Sequence, residues 1–264
     1  MSNDRVGRDI PAATRWKERG ERYAQGIDGP YHRHRLEVIR ALLPDLAGAQ
    51  VIDVGCGEGV LIREARMRGA ARITGVDIDH GLLESARDSG ADHLILGDVE
   101  QLVSIPRADC VIAANVVAYF TDDEYARFST EVTRLLAPGG TLVITHSNAL
   151  FDLFTLNAFT VAFFRERFGC DPTPLLRRPD EPRRTGFNVR ENPLSYVHRL
   201  AAHGLRQEQI EFIHRHAAPP LLSPGEDWDD IDVRDYADTL AVPDDERWML
   251  MFQCSMFGVR AVRS

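Results

Sequence analysis

Lysine is all but missing from this sequence. Lys17 is the only one among 31 basic residues, and arginine carries the rest, a usage that reflects genome composition rather than chemistry. Cysteine is scarce too. Cys56, Cys110, Cys170 and Cys254 stand far apart, with no CxxC pair and no zinc spacing, which excludes a disulfide framework and a structural zinc site. They read as free thiols in a reducing compartment. The first twenty residues hold no apolar core of a signal peptide, so a cytoplasmic protein is expected. The longest apolar stretch, residues 149–164, is interrupted by Asp152 and Asn157 and is too short and polar to span a bilayer. Positive charge is in deficit: the formal net charge is -9. Nucleic-acid binders carry a basic face that releases counterions, so this balance argues against such a partner and for neutral or cationic small molecules. No internal repeat is visible.

What is present is a core. Hydrophobic residues make up 44% of 264, enough for one large domain with an added lid. From residue 51 onward short apolar runs alternate with amphipathic ones. Strands are expected at 51–54, 72–77, 93–96, 110–113 and 141–145, and helices at 60–68, 80–89 and 122–136. Such alternation means βαβ units on a parallel sheet, an α/β fold. The turn Ala137-Pro138-Gly139-Gly140 ends the last of these helices. Ahead of this core, residues 31–43 set Leu36, Ile39, Leu42 and Leu43 on one helical face. After it come an aromatic-rich helix at 149–168, a Pro- and Arg-rich loop at 169–191 and a helix opened by Asn192-Pro193. Strands are expected at 205–214 and 249–262. Between these two, residues 226–246 hold ten acidic side chains against Arg234 alone, as a solvated loop or lid would.

The strongest motif is VIDVGCGEG at 51–59, where a buried strand runs into Gly55, Gly57 and Gly59 before a helix. Glycines reach positive φ without steric cost, and the helix N-terminus behind them offers free N–H groups. About twenty residues on, the next strand ends at Asp77, the spacing of an acid that holds a ribose diol. A dinucleotide loop reads GxGxxG. Here the pattern is DxGxGxG, and Asp53 ahead of the glycines would repel a pyrophosphate while attracting an ammonium. S-adenosylmethionine has a ribose diol and an amino acid end, and no phosphate.

With these residues in place, the sequence resembles the class I S-adenosylmethionine-dependent methyltransferase family over about residues 48–146. VIDVGCGEG resembles its first motif, GVDID its second, ILGDVEQL its third, DCVIAANVVAYF its fourth and LLAPGGTLVIT its post-motif segment. The resemblance implies a Rossmann-like, seven-stranded, mostly parallel sheet with helices on both faces and an antiparallel last strand. It implies a helical N-terminal segment or lid at 1–47 and a methyltransferase domain at 48–264, with acceptor-side insertions at about 147–204 and 217–247. By similarity, Asp53, Gly55, Cys56, Gly57 and Gly59 form the cofactor turn. Asp77 and Ile78 would lie at the ribose, Asp98 and Val99 at the adenine, Asn115 and Val116 at the methionine end. Cys56 is read as a small packing residue. Two departures matter. Tyr119 stands where small-molecule members often carry a histidine, and the D/N-P-P-Y motif of enzymes that methylate adenine or glutamine nitrogens is absent.

Acceptor contacts are expected beyond the C-terminal strand ends. His146 is the candidate general base, equally readable as a hydrogen-bonded strand-end histidine. Candidates for acceptor binding are Tyr31, His32, Tyr119, Asn148, Asn188, Arg190 and His214. His214 and His216 form an HxH pair without further ligands at metal spacing, so no metal is expected. The phenylalanine stripe at 151–164 reads as core or as contact between two copies in a homodimer. The expected activity is methyl transfer to a small secondary metabolite or sugar, with oxygen favoured because of His146. Transfer to nitrogen or carbon, an RNA or protein acceptor recruited by Arg177, Arg178, Arg183, Arg184 and Arg190, and a cofactor-binding protein without catalysis stay open.

Overall fold

The structure, a computed structural model, describes residue 16 and residues 30–151, 165–166, 169, 189–216 and 239–264. The expected helix at 149–168, the loop at 169–191 and the acidic segment at 226–246 fall largely outside these residues.

One mixed sheet organises the chain. Its strands are β1 (Gln50–Val54), β2 (Arg72–Asp77), β3 (His93–Leu96), β4 (Ala108–Ala113), β5 (Leu136–Asn148), β6 (Arg190–Glu191), β7 (Leu205–Arg215) and β8 (Cys254–Arg263). The order is β3-β2-β1-β4-β5-β8-β7, with β6 beside the end of β5. All neighbours pair in parallel except β8, which runs antiparallel to both β5 and β7. This is the seven-stranded plan expected from sequence, extended by the two-residue β6. That addition carries no sequence signal, because it is held by pairing with Ser147 and Asn148 rather than by its own pattern.

Two apolar layers cover the sheet, as the βαβ alternation requires. Val51 faces Ile39, Leu42, Leu61, Ile62 and Leu83, from α1 (Pro30–Leu42), α2 (Val60–Met67) and α3 (His80–Ser85). Ile52 and Val54 belong to the opposite layer with Tyr125, Phe128 and Val132 of α4 (Asp122–Leu135) and Tyr196 and Leu200 of α5 (Tyr196–Ala202). Strands buried on both faces read as continuous apolar runs, which is why VIDV and CVIA were legible. Glu64 sits among the buried residues of α2, held by Arg40 of α1 at 2.7 Å and Arg68 at 2.9 Å. α1 also packs on β7 and β8, so it is built into the core layer.

Local chemistry sets the element ends. Thr121 and Glu124 form a reciprocal capping box at the start of α4. Asp79 caps α3 by accepting from Gly81 N and Leu82 N. α3 stops at Ser85 and a 3-10 turn, Arg87–Ser89, follows before Gly90 at φ 90, so the expected single helix to residue 89 is two pieces. The helix expected at Asn192 starts four residues later. Asn192 Oδ1 accepts from Leu194 N at 2.9 Å, an Asx turn that competes with helix. The last strand begins at Cys254 rather than 249, because Leu250–Gln253 (α6) is a helical turn that buries Leu250; a short apolar run does not distinguish the two. No described helix is long and apolar enough to cross a membrane.

Candidate active site

A cavity of about 320 Å³ opens where β1, β2 and β4 end, the place an open parallel sheet reserves for ligands. Three loops make it. The turn after β1 is forced by Gly55 at φ 72, Gly57 at φ 52 and Gly59 at φ 76. A Cβ at Gly55 would come within 2.8 Å of Val116, and one at Gly59 within 2.5 Å of Ser89. Gly57 differs: it lines the cavity, and a Cβ there would meet no protein atom within 4 Å. The loop after β2 presents Asp77, whose Oδ2 accepts from Gly57 N at 2.8 Å and whose Oδ1 accepts from Asp79 N at 2.9 Å. The loop after β4 turns at Asn115, a non-glycine residue at φ 58. Its backbone N–H donates to Thr145 Oγ1 at 2.7 Å.

The fold gathers most of the residues read as cofactor contacts. Gly55, Gly57, Asp77, Ile78, Asp98, Val99, Asn115 and Val116 all line the cavity, and so does Tyr119, read as an acceptor residue. Asp98 sits on the rim, where its Oδ1 accepts from Glu100 N in a tight turn. Asp53, Cys56 and Gly59 lie behind the lining. Cys56 packs its sulfur toward Gly75, and burial pushes its thiol well above the usual range.

Asp53 is the electrostatic centre of the site. It is 1% exposed, and neither carboxylate oxygen has a hydrogen-bond partner among the described residues. Burial, then the neighbouring charge of Asp77, pushes its pKa up to about 7. Burial also raises that of Asp77, against the opposing effect of its backbone donors. The rim adds Asp98, Glu100 and Glu124, with Arg127 ion-paired to Glu100 at 3.3 Å. An acid-rich cleft of this kind favours ligands carrying positive charge.

The residues read as acceptor contacts mostly lie elsewhere. His146 faces the core instead of an open strand end. Its ring packs on Tyr196 at 4.4 Å, Phe257 at 5.4 Å and Tyr125 at 6.1 Å between centroids, and neither nitrogen has a hydrogen-bond partner among the described residues. Burial, then the charge of Arg199, lowers its pKa to about 3. The alternation along β5 turned it inward, a side the sequence left open. Asn148 is wholly buried. Its Nδ2 donates to Met251 O and Cys254 O, both at 2.8 Å, and its Oδ1 accepts from Leu150 N. It pins β5 to the start of β8, with both Nδ2 hydrogens engaged. His214 is buried at φ 60 with its ring 5.6 Å from His34. His32 pairs with Arg35 at 2.6 Å on α1, and burial followed by that arginine lowers its pKa to about 4. Arg190 lies in β6 opposite Ser147. Neither the Tyr31 side chain nor Asn188 is among the described residues.

Other lining residues were missed from sequence. Trp16, Leu82, Phe120, Glu124 and Arg127 face the cavity. The Thr121-x-x-Glu124 pattern was a readable helix start, which would have placed Phe120 and Glu124 beside the β4 loop. Trp16 reaches the site from 63 residues before its partner Asp79, and no local pattern announces that.

Residues 51–140 match the family model described as a methyltransferase domain. The ribosomal protein L11 methyltransferase of Vibrio cholerae is 33% identical over 129 residues, covering 48% of this chain and 42% of that protein. Its Pseudomonas aeruginosa counterpart is 34% identical over 134 residues, 49% and 42% of the two chains. The chain thus spans less than half the length of the curated relatives it matches. Among solved structures, an S-adenosylmethionine-dependent methyltransferase from Archaeoglobus fulgidus superposes with a TM-score of 0.59 at 15% identity, covering 92% of this chain and 99% of that one. The N-methyltransferase NodS from Bradyrhizobium japonicum, solved with S-adenosyl-l-homocysteine, gives 0.56 at 15% identity, covering 94% and 98%. Those two likenesses speak for the fold. The domain match, which runs through the glycine turn, Asp77 and the β4 loop, shows that residues 51–140 are similar to a methyltransferase domain.

Proposed function

We propose that the protein transfers a methyl group from S-adenosylmethionine to a small-molecule acceptor. The observation that carries the cofactor reading is the pairing of Asp77 with Gly57 in the wall of the cavity. It sets a carboxylate beside an open glycine surface, both lining a space of ligand size. The residues present fit the cofactor. Space above Gly57 takes an atom without touching protein. Asp77 would hold the ribose hydroxyls, Asp98 the adenine amino group, and Val99 the ring. Asn115 and Val116 would line the methionine end. Asp53, buried behind the turn, supplies negative charge toward the ammonium and sulfonium.

The cofactor supplies a methyl already activated by its sulfonium. What the chain contributes is alignment, and holding two reactants in line is worth about 7–11 kcal/mol in favourable cases. A described general base is not needed for this reading. His146 lies outside the cavity with its pKa lowered to about 3, so the preference for oxygen loses the residue on which it rested. Nitrogen transfer fits better. An amine approaches the acid-rich mouth as a cation, sheds its proton to solvent and attacks as the neutral form.

A protein acceptor is the second reading, favoured by the identity to ribosomal protein L11 methyltransferases. Incubation with methyl-labelled cofactor and a fractionated bacterial extract separates the two. Label in the small-molecule filtrate supports the proposal. Label retained on protein supports the second reading, and no transfer anywhere leaves a binding protein.

A further inference from the structure

Behind the loop that follows β4 lies a residue that does not itself line the cavity. Thr145 of β5 is 1% exposed, and its Oγ1 accepts the backbone N–H of Asn115 at 2.7 Å. The parallel ladder between β4 and β5 ends at Ala113 and Ile144, so the hydroxyl takes over as acceptor just beyond β4. Asn115 needs that bond. It is one of two non-glycine residues at positive φ among the described residues, at φ 58, a conformation that any Cβ disfavours. The other, His214, lies in β7 away from the cavity. One wall of the cavity hangs on this turn. Ala114, Asn115 and Val116 line it, and so does Tyr119, from the 3-10 turn Val117–Tyr119. Val116 sits close against the glycine turn, where a Cβ at Gly55 would come within 2.8 Å of it. Thr145 and His146 point to opposite faces of the sheet, as successive strand residues do. The Thr145 methyl lies toward β8, 3.4 Å from where a Cβ at Gly258 would stand.

We propose that Thr145 is a positioning residue for the cofactor: acting through Asn115, its hydroxyl holds the loop after β4 in the left-handed turn that shapes the methionine end of the cavity. This rests on the cofactor reading given above. A binding wall formed in only a fraction of the molecules weakens the apparent affinity by that fraction. Without the hydroxyl, nothing offsets the cost of positive φ at Asn115, and its N–H loses its acceptor. The loop then relaxes toward ordinary φ and carries Val116 and Tyr119 with it. Thr145 acts from behind the wall, without touching the ligand.

The test uses two substitutions that separate the hydroxyl from the methyl. Thr145→Val keeps the methyl and the shape and loses the acceptor. Thr145→Ser keeps the acceptor and loses the methyl. Titration of S-adenosylhomocysteine into the full chain should show about tenfold weaker binding for Thr145→Val, the effect of one donor left without its partner, and native affinity for Thr145→Ser. The unfolding midpoint of unliganded Thr145→Ser should fall, through lost packing against β8. Stability and affinity then part company, which a merely structural role would not allow. Asn115→Gly checks the conformation itself, because glycine takes positive φ about as readily as negative. In that background Thr145→Val should cost only about twofold. Native affinity in Thr145→Val, or an undiminished tenfold penalty in the Asn115→Gly background, would overturn the proposal and leave the cofactor reading standing. So would weakened binding by Thr145→Ser, whether or not Thr145→Val folds. Failure of the native protein to bind S-adenosylhomocysteine would remove both.

Discussion

Replacing Asp53 with asparagine should stabilise the fold at neutral pH and weaken its ligand. Asp53 is fully buried without a hydrogen-bond partner among the described residues, and its pKa rises from 3.8 to about 7. The folded state therefore holds a proton that the unfolded state has lost throughout the window between those values. Stability falls as pH rises wherever the native state binds more protons, by about 1.4 kcal/mol per pH unit for one proton. Over a window of roughly three units the burial of this charge costs about 4 kcal/mol, fully present above about pH 7 and absent below about pH 4. Asparagine has nearly the same shape and no charge. In denaturant titrations at pH 4, 5, 6, 7 and 8, the advantage of Asp53→Asn over the native chain should grow from near zero to several kcal/mol and then level. Parallel curves across that range would refute the electrostatic account of the site. The same substitution removes a negative charge behind the glycine turn, so S-adenosylmethionine should bind the variant more weakly at pH 8.

His146 has the opposite linkage. Its pKa falls from 6.5 to about 3, so its burial lowers stability as pH drops below 6.5. His146→Phe, which fits among Tyr196, Tyr125 and Phe257, should flatten the acid side of the native stability curve and leave the pH dependence of methyl transfer unchanged; a lost acid limb in turnover would return the histidine to catalysis. The two cavity glycines should part company. Gly55→Ala meets both a positive φ and Val116 at 2.8 Å, for a loss of about 2–4 kcal/mol in urea unfolding. Gly57→Ala, with open space around its Cβ, should lose only the αL penalty of about 1–2 kcal/mol and lower ligand affinity instead. Equal stability losses in the two would contradict the assignment of that space to a ligand.

Most of the residues read as cofactor contacts gather at one cavity because the geometry that places them is local. A buried strand, a glycine turn and a strand-end acid each leave a short pattern, and the parallel sheet brings their ends together without further information. The strands at 51–54, 72–77 and 93–96 lie where periodicity put them. The acceptor side was not legible, since it depends on which way single residues face. His146 and Asn148 end a strand buried on both faces, where period-two alternation gives no exposed side to choose. Asn148 is spent on backbone carbonyls of Met251 and Cys254, more than a hundred residues on. Trp16 docks on Asp79 and Tyr119 through contacts that no window of sequence contains.

In the proposed function, Asp77 and the glycine turn hold an adenosyl ligand. Calorimetric titration of S-adenosylhomocysteine into the native chain and into Asp77→Ala tests it most directly. Native binding in the micromolar range, weakened by about a hundredfold or more in the variant, is predicted, because two charge-assisted hydrogen bonds to the ribose diol are worth about 3 kcal/mol together. Equal affinity in the two proteins, or binding of NADH in place of S-adenosylhomocysteine, would contradict it.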